Sequence, residues 1–144
     1  MIVVLDASAA VKLVLDETGS DQVRRLWDEQ LTIVAPSIVV PEVAAAIQAA
    51  RRDGRVADAG AQIAHRSWVS LIEDIDVLAV DLALADRARE LAATRMVRGM
   101  DAVYLAVALA LEDPSSVGLL SFDVGQRSGF IPEDGIHLLP ADVG

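Results

Sequence analysis

The chain has 144 residues, 53% hydrophobic but only 3% aromatic, with a net charge of −10 and no cysteine. This excludes a disordered chain, a disulfide scaffold, a thiolate metal site and a cysteine nucleophile, and predicts one domain over residues 1–144. The acidic balance also speaks against a broad phosphate-binding surface, which draws on clustered Lys and Arg.

The run Met1-Ile2-Val3-Val4-Leu5 reads as a buried strand ending in the carboxylate of Asp6. Small residues open a helical pattern from Ser8 to Leu15, which resumes from Ser20, a candidate cap, to Gln30. Leu31 to Ala35 is a short strand, and Pro36-Ser37 breaks before a helix with Pro41 and Glu42 in its first turn, running to Arg52 and stopping at Asp53-Gly54. Asp58 to Glu73 has helical spacing at Ile63, Trp68, Leu71 and Ile72, and Val77 to Val80 reads as a strand. Asp81 caps a helix reaching about Val97, with Leu84, Ala88, Leu91 and Ala92 as its apolar stripe. Asp101 to Leu111 is apolar almost all round after its first residue and should be buried. Val117 to Ser121 is a strand, Phe122-Asp123 leads into a Gly-rich turn, and Ile136 to Leu139 is a last strand. Strands alternating with helices predict a three-layer α/β/α sandwich around a parallel sheet. No apolar stretch reaches the ~18 residues of a membrane span and no basic region precedes the first hydrophobic run, so a cytoplasmic protein without a membrane partner is expected.

Carboxylates recur at element ends: Asp6 after the first strand, Glu42 in a first turn, Asp101 opening a buried helix, Asp123 after a strand. Each has a structural reading of its own. Asp6 suits a helix cap, Glu42 and Asp101 suit the positive end of a helix, and Asp123 suits a turn. Together, at the carboxyl edge of a parallel sheet, they suit a crevice that binds ligands. Carboxylates converging without a basic residue beside them repel one another, and a hard cation such as Mg²⁺ or Mn²⁺ relieves this. Such a cation activates water for attack on a phosphodiester.

The segments Val4-Leu5-Asp6-Ala7-Ser8-Ala9, Pro36-Ser37 through Pro41-Glu42-Val43, Arg98-Gly99-Met100-Asp101-Ala102-Val103-Tyr104-Leu105-Ala106 and Ser121-Phe122-Asp123 occur in an order and spacing that resembles the PIN-domain ribonucleases, specifically the VapC toxins of bacterial toxin-antitoxin pairs. The resemblance spans essentially the whole chain. It implies a PIN fold, RNA cleavage dependent on Mg²⁺ or Mn²⁺, dimerisation, and inhibition by a cognate VapB-type antitoxin. It makes Asp6, Glu42 and Asp101 the main metal ligands, with Asp123 completing the acidic site and Ser8 hydrogen-bonding nearby. Many relatives carry another acidic or polar residue shortly after the last aspartate, whereas Val124-Gly125-Gln126 follows here, which leaves the number of metal ions open.

An RNA substrate at this net charge demands a local arginine track. Arg98, three residues before Asp101, is the first candidate, expected at the mouth of the crevice. Arg51, Arg52 and Arg55 lie at the far end of the Glu42 helix, roughly 14 to 20 Å away at 1.5 Å per residue, and suit distal phosphates only. Lys12 reads as a surface charge, His65 and His137 lack metal-like partners, and Trp27, Trp68 and Tyr104 read as core. A phospho-acceptor signalling domain would need an early acidic pair and a late lysine, both missing here. A PIN-fold module that is weakly active or inactive and acts through protein or RNA binding is the alternative to an enzyme.

Overall fold

The computed structural model describes residues 1–111 and 113–143. Five strands, β1 (Ile2–Leu5), β2 (Thr32–Pro36), β3 (Asp76–Leu78), β4 (Val117–Leu120) and β5 (His137–Leu139), form one sheet in the order β3-β2-β1-β4-β5, with every pairing parallel. The helices are α1 (Ala7–Val14), α2 (Ser20–Asp28), α3 (Val39–Arg52), α4 (Asp58–Leu71), α5 (Leu82–Arg95), α6 (Gly99–Ala110) and α7 (Val124–Ser128). Their alternation with the strands gives the expected three-layer α/β/α sandwich. Among the described residues, no helix is long and apolar enough to cross a membrane.

The sheet grows outward from β1 in both directions, so the strand order reverses between β1 and β4, where open parallel sheets bind ligands. Val3, Val4 and Leu5 are fully buried because β1 is central, flanked by strands on both sides and covered on both faces. Helix α6 is buried nearly all round, as its apolar sequence requires. Strand β3 is shorter than the expected Val77–Val80 run and its residues are exposed, Val77 and Leu78 by little more than a third, because it forms one edge of the sheet.

Several local expectations fail for identifiable reasons. Ser20 does not cap α2. Gly19 does, at φ +92°, where an added Cβ would also lie 2.7 Å from the Phe122 ring. The Ser20 hydroxyl instead donates to Leu15 O at 2.9 Å and accepts from Glu17 N at 3.0 Å, closing the bend between α1 and α2. Ile63 is exposed, because α4 packs on α3 through Ala61, Ala64 and Trp68, whose Nε1 donates to Val40 O at 3.1 Å. The Gly-rich turn after Asp123 is a short helix, α7, with Asp123 as its cap. Lys12 is not a surface charge: its side chain is 12% exposed, pairs with Glu17 at 2.9 Å, and lies 4.7 Å from the centre of the Phe122 ring, within cation-π range.

Candidate active site

Asp6 leaves β1 at its carboxyl end and continues the ladder, its N–H donating to Leu120 O at 3.0 Å. Its Oδ2 accepts from Ser8 N at 3.3 Å, making it the cap of α1. The same oxygen accepts from the hydroxyls of Ser8 and Ser121, the latter at 2.8 Å. The cap reading of Asp6 therefore holds. The two serines also reach the end of β4: Ser8 Oγ accepts from Phe122 N at 2.9 Å and Ser121 Oγ accepts from Asp123 N at 3.1 Å. Asp6 is thus hydrogen-bonded into both central strands, with Ser8 and Ser121 as its side-chain partners. Burial pushes the Asp6 carboxyl above its ordinary value; the Ser8 and Ser121 hydrogen bonds oppose this, and the Asp123 charge adds to it.

Glu42 stands in the first turn of α3, which follows β2. Its Oε2 accepts the hydroxyl proton of Tyr104, so that residue holds a carboxylate as well as filling the core. Ser121, and Tyr104 beyond its expected place in the core, make contacts to the carboxylates that sequence reasoning did not assign. Tyr104 carried a readable signal, because it follows Asp101 by three positions and so shares a face of α6 with it. Burial raises the Glu42 carboxyl, the Tyr104 hydrogen bond opposes it, and the Asp6 and Asp101 charges add to it while Arg98 relieves it.

Asp101 lies in the first turn of α6 and is 7% exposed. Its backbone carbonyl accepts from Gln126 Nε2 at 3.0 Å, which ties α7 to α6. Asp123 Oδ1 accepts from Gln126 N at 3.1 Å, and its other oxygen faces Arg98. Arg98, expected at the mouth of the crevice, lies against the carboxylates themselves. Its guanidinium bridges two of them, with Nε 2.6 Å from Asp101 Oδ2, Nη2 3.1 Å from Asp101 Oδ1, and Nη2 2.8 Å from Asp123 Oδ2. Burial pulls the Asp123 carboxyl upward, but the Arg98 contact and the backbone N–H groups of α7 outweigh it, leaving it below the ordinary value. Gly125 keeps this corner open, since a Cβ there would sit 3.0 Å from Asp123 Oδ1 and 3.6 Å from Arg98 Nη2.

The donor set suits a hard divalent cation, being made of carboxylate oxygens with hydroxyls behind them. The guanidinium between Asp101 and Asp123 supplies the positive charge that these groups call for. Among the described residues, no three acidic or imidazole side chains stand in an array able to hold a metal, and Asp101 and Asp123 face Arg98. Arg51, Arg52 and Arg55 stay apart from the carboxylates at the other end of α3, where Arg51 pairs with Asp58 at 2.6 Å and Arg55 with Glu17 at 3.6 Å.

The electrostatics give a pH-dependent expectation. With its folded pKa raised above the ordinary 4.5, Glu42 binds more protons folded than unfolded, so its contribution favours folding at low pH and is lost as pH rises through the folded value. Glu42→Gln keeps an acceptor for Tyr104 and removes the charge. In metal-free protein it should raise the melting temperature near pH 7 and leave it unchanged near pH 4, a contrast that scanning calorimetry reads directly. The same rise at both values would show that charge is not the cause.

A family model described as "PIN domain" matches residues 3–128. Ribonuclease VapC49 of Mycobacterium tuberculosis is 36% identical over 116 residues, 81% of each chain. Among solved structures, Mycobacterium tuberculosis VapC20, a toxin that cleaves the sarcin-ricin loop, superposes with a TM-score of 0.66 at 20% identity, covering 90% of this chain and 96% of its own. A toxin-antitoxin complex from Klebsiella pneumoniae gives a TM-score of 0.64 at 15% identity, covering 93% and 94%. With a PIN model over most of its length and a VapC relative at this identity, the chain belongs to the PIN-domain family of VapC ribonucleases.

Proposed function

We propose that this protein is a divalent-metal-dependent endoribonuclease, the toxin of a type II toxin-antitoxin pair, which hydrolyses RNA phosphodiester bonds with water. The observation that carries this reading is that carboxylates from separate segments lie within electrostatic reach of one another near the strand-order reversal, Asp6 and Asp101 acting on Glu42 and Asp123 on Asp6. Asp6, Glu42 and Asp101 would hold Mg²⁺, or Mn²⁺ in its place, with Asp123 completing the site. When bound, the cation supplies water of lowered pKa and stabilises charge on the leaving oxygen. The protein's own part is to fix the donors: Ser8 and Ser121 orient Asp6, Tyr104 orients Glu42, and α7 braces Asp101 through Gln126.

A partner of VapB type fits the same crevice, with a basic side chain entering among the carboxylates, and the solved Klebsiella pneumoniae complex supports a protein partner on this fold. We further assign a homodimer acting on RNA in the cytoplasm. Arg98 is the phosphate contact nearest the carboxylates, with Arg51, Arg52 and Arg55 left for distal phosphates.

The chemistry of the cut ends tests this reading. Attack by water needs no 2′-hydroxyl, so RNA cleaved in Mg²⁺ should carry no 2′,3′-cyclic phosphate, and a single 2′-deoxy substitution at the cut should leave cleavage within a few-fold. Chelation should abolish the reaction. Cyclic phosphate ends, or cleavage that survives chelator, would overturn it.

A further inference from the structure

We infer that Arg98 is a built-in latch that competes with the divalent cation for Asp101 and Asp123 and swings away when the cation binds. The inference rests on the proposed metal site and adds to it a cost that the chain imposes on its own cofactor. The guanidinium makes three hydrogen bonds of 2.6 to 3.1 Å to the two carboxylates, using both Nε and Nη2. Its forked geometry spans two acidic groups that a single ammonium would contact singly. Both aspartates are hydrogen-bonded to it, Asp101 through both oxygens and Asp123 through Oδ2. The Arg98 side chain is nonetheless 67% exposed and precedes the first residue of α6, so it can leave without disturbing the core.

An occupied site lowers the apparent affinity for a competitor by the fraction of time that it is free. A latch open about one tenth of the time weakens cation binding about tenfold. By linkage, the cation expels the guanidinium as strongly as the guanidinium resists the cation. Once released at the rim of the crevice, the side chain is free to meet an RNA phosphate, so cation and RNA reinforce each other through one residue.

The test uses full-length protein stripped of metal, with Mn²⁺ affinity measured by electron paramagnetic resonance for the parent, Arg98→Met and Asp6→Asn. Arg98→Met should bind Mn²⁺ about tenfold more tightly than the parent. A field effect of the lost charge would also tighten binding, so a second readout follows the Arg98 side chain directly. Its Nε–Hε resonance, identified by its loss in Arg98→Met, should exchange slowly with water in metal-free protein and become fast-exchanging and shifted on titration with Mg²⁺. Unchanged Mn²⁺ affinity in Arg98→Met, or an Arg98 resonance unmoved at saturating Mg²⁺, overturns the latch. Failure of the underlying site looks different: Asp6→Asn would then bind Mn²⁺ as the parent does.

Discussion

Asp101→Asn loses RNA cleavage by about a hundredfold or more while remaining folded. Partners lying behind a metal ligand alone account for about 10- to 100-fold in affinity or activity, and a ligand that also faces the reacting phosphate carries more. The substitution keeps the shape of the side chain. On the stability side it loses one ion pair with the largely exposed Arg98 and a favourable charge at the start of α6, offset by relief of repulsion with Glu42. Arg98 stays largely in solvent and the losses and the relieved repulsion oppose one another, so the variant remains folded. Cleavage of an end-labelled RNA beside a thermal melt of the same sample reads both quantities. Undiminished Mg²⁺-dependent cleavage would remove Asp101 from the site.

The second large effect is stabilisation by the cation itself. A ligand at a hundred times its dissociation constant stabilises the folded state by about 2.7 kcal/mol. For a domain of this size that corresponds to a rise of roughly 5–10 °C in melting temperature. Metal-free Asp6→Asn should melt at or somewhat above the parent, because Asn caps a helix about as well as Asp, retains an acceptor for the Ser8 N–H, and removes a carboxylate that burial penalises. Mn²⁺ should then raise the parent by the full amount and the variant by little. Equal rises would put the cation somewhere other than the Asp6 crevice.

The frame of this site was readable in the chain because its signals are contiguous. A strand buried on both faces announces itself as Ile2 to Leu5, and an apolar helix broken by one charge announces Asp101. What escaped reading depends on contacts between distant segments. Ser121 touches Asp6 across 115 positions, and Tyr104 reaches Glu42 across 62. Helix α7 has only five residues, too few to display a period, so its glycine suggested a turn. Ile63 misled because hydrophobicity was taken for burial where α4 needed the small Ala61 and Ala64 for close approach to α3. Arg98 was placed near the crevice by its spacing from Asp101, but its bond to Asp123 exists only once α7 has folded beside α6.

The strand order bears on when the acidic crevice can form during synthesis. As the chain emerges from the ribosome, β1 comes first and its neighbour β4 comes almost last, with Asp123 just behind it. Until then β1 is an unpaired edge on one side, and Asp6 lacks both Ser121 and the fourth carboxylate. A nascent chain, or one cut short by a stop codon anywhere before Asp123, therefore carries no complete acidic centre. The topology leaves assembly of the crevice to the end of synthesis, and on the proposed function early truncations would all share one inactive outcome.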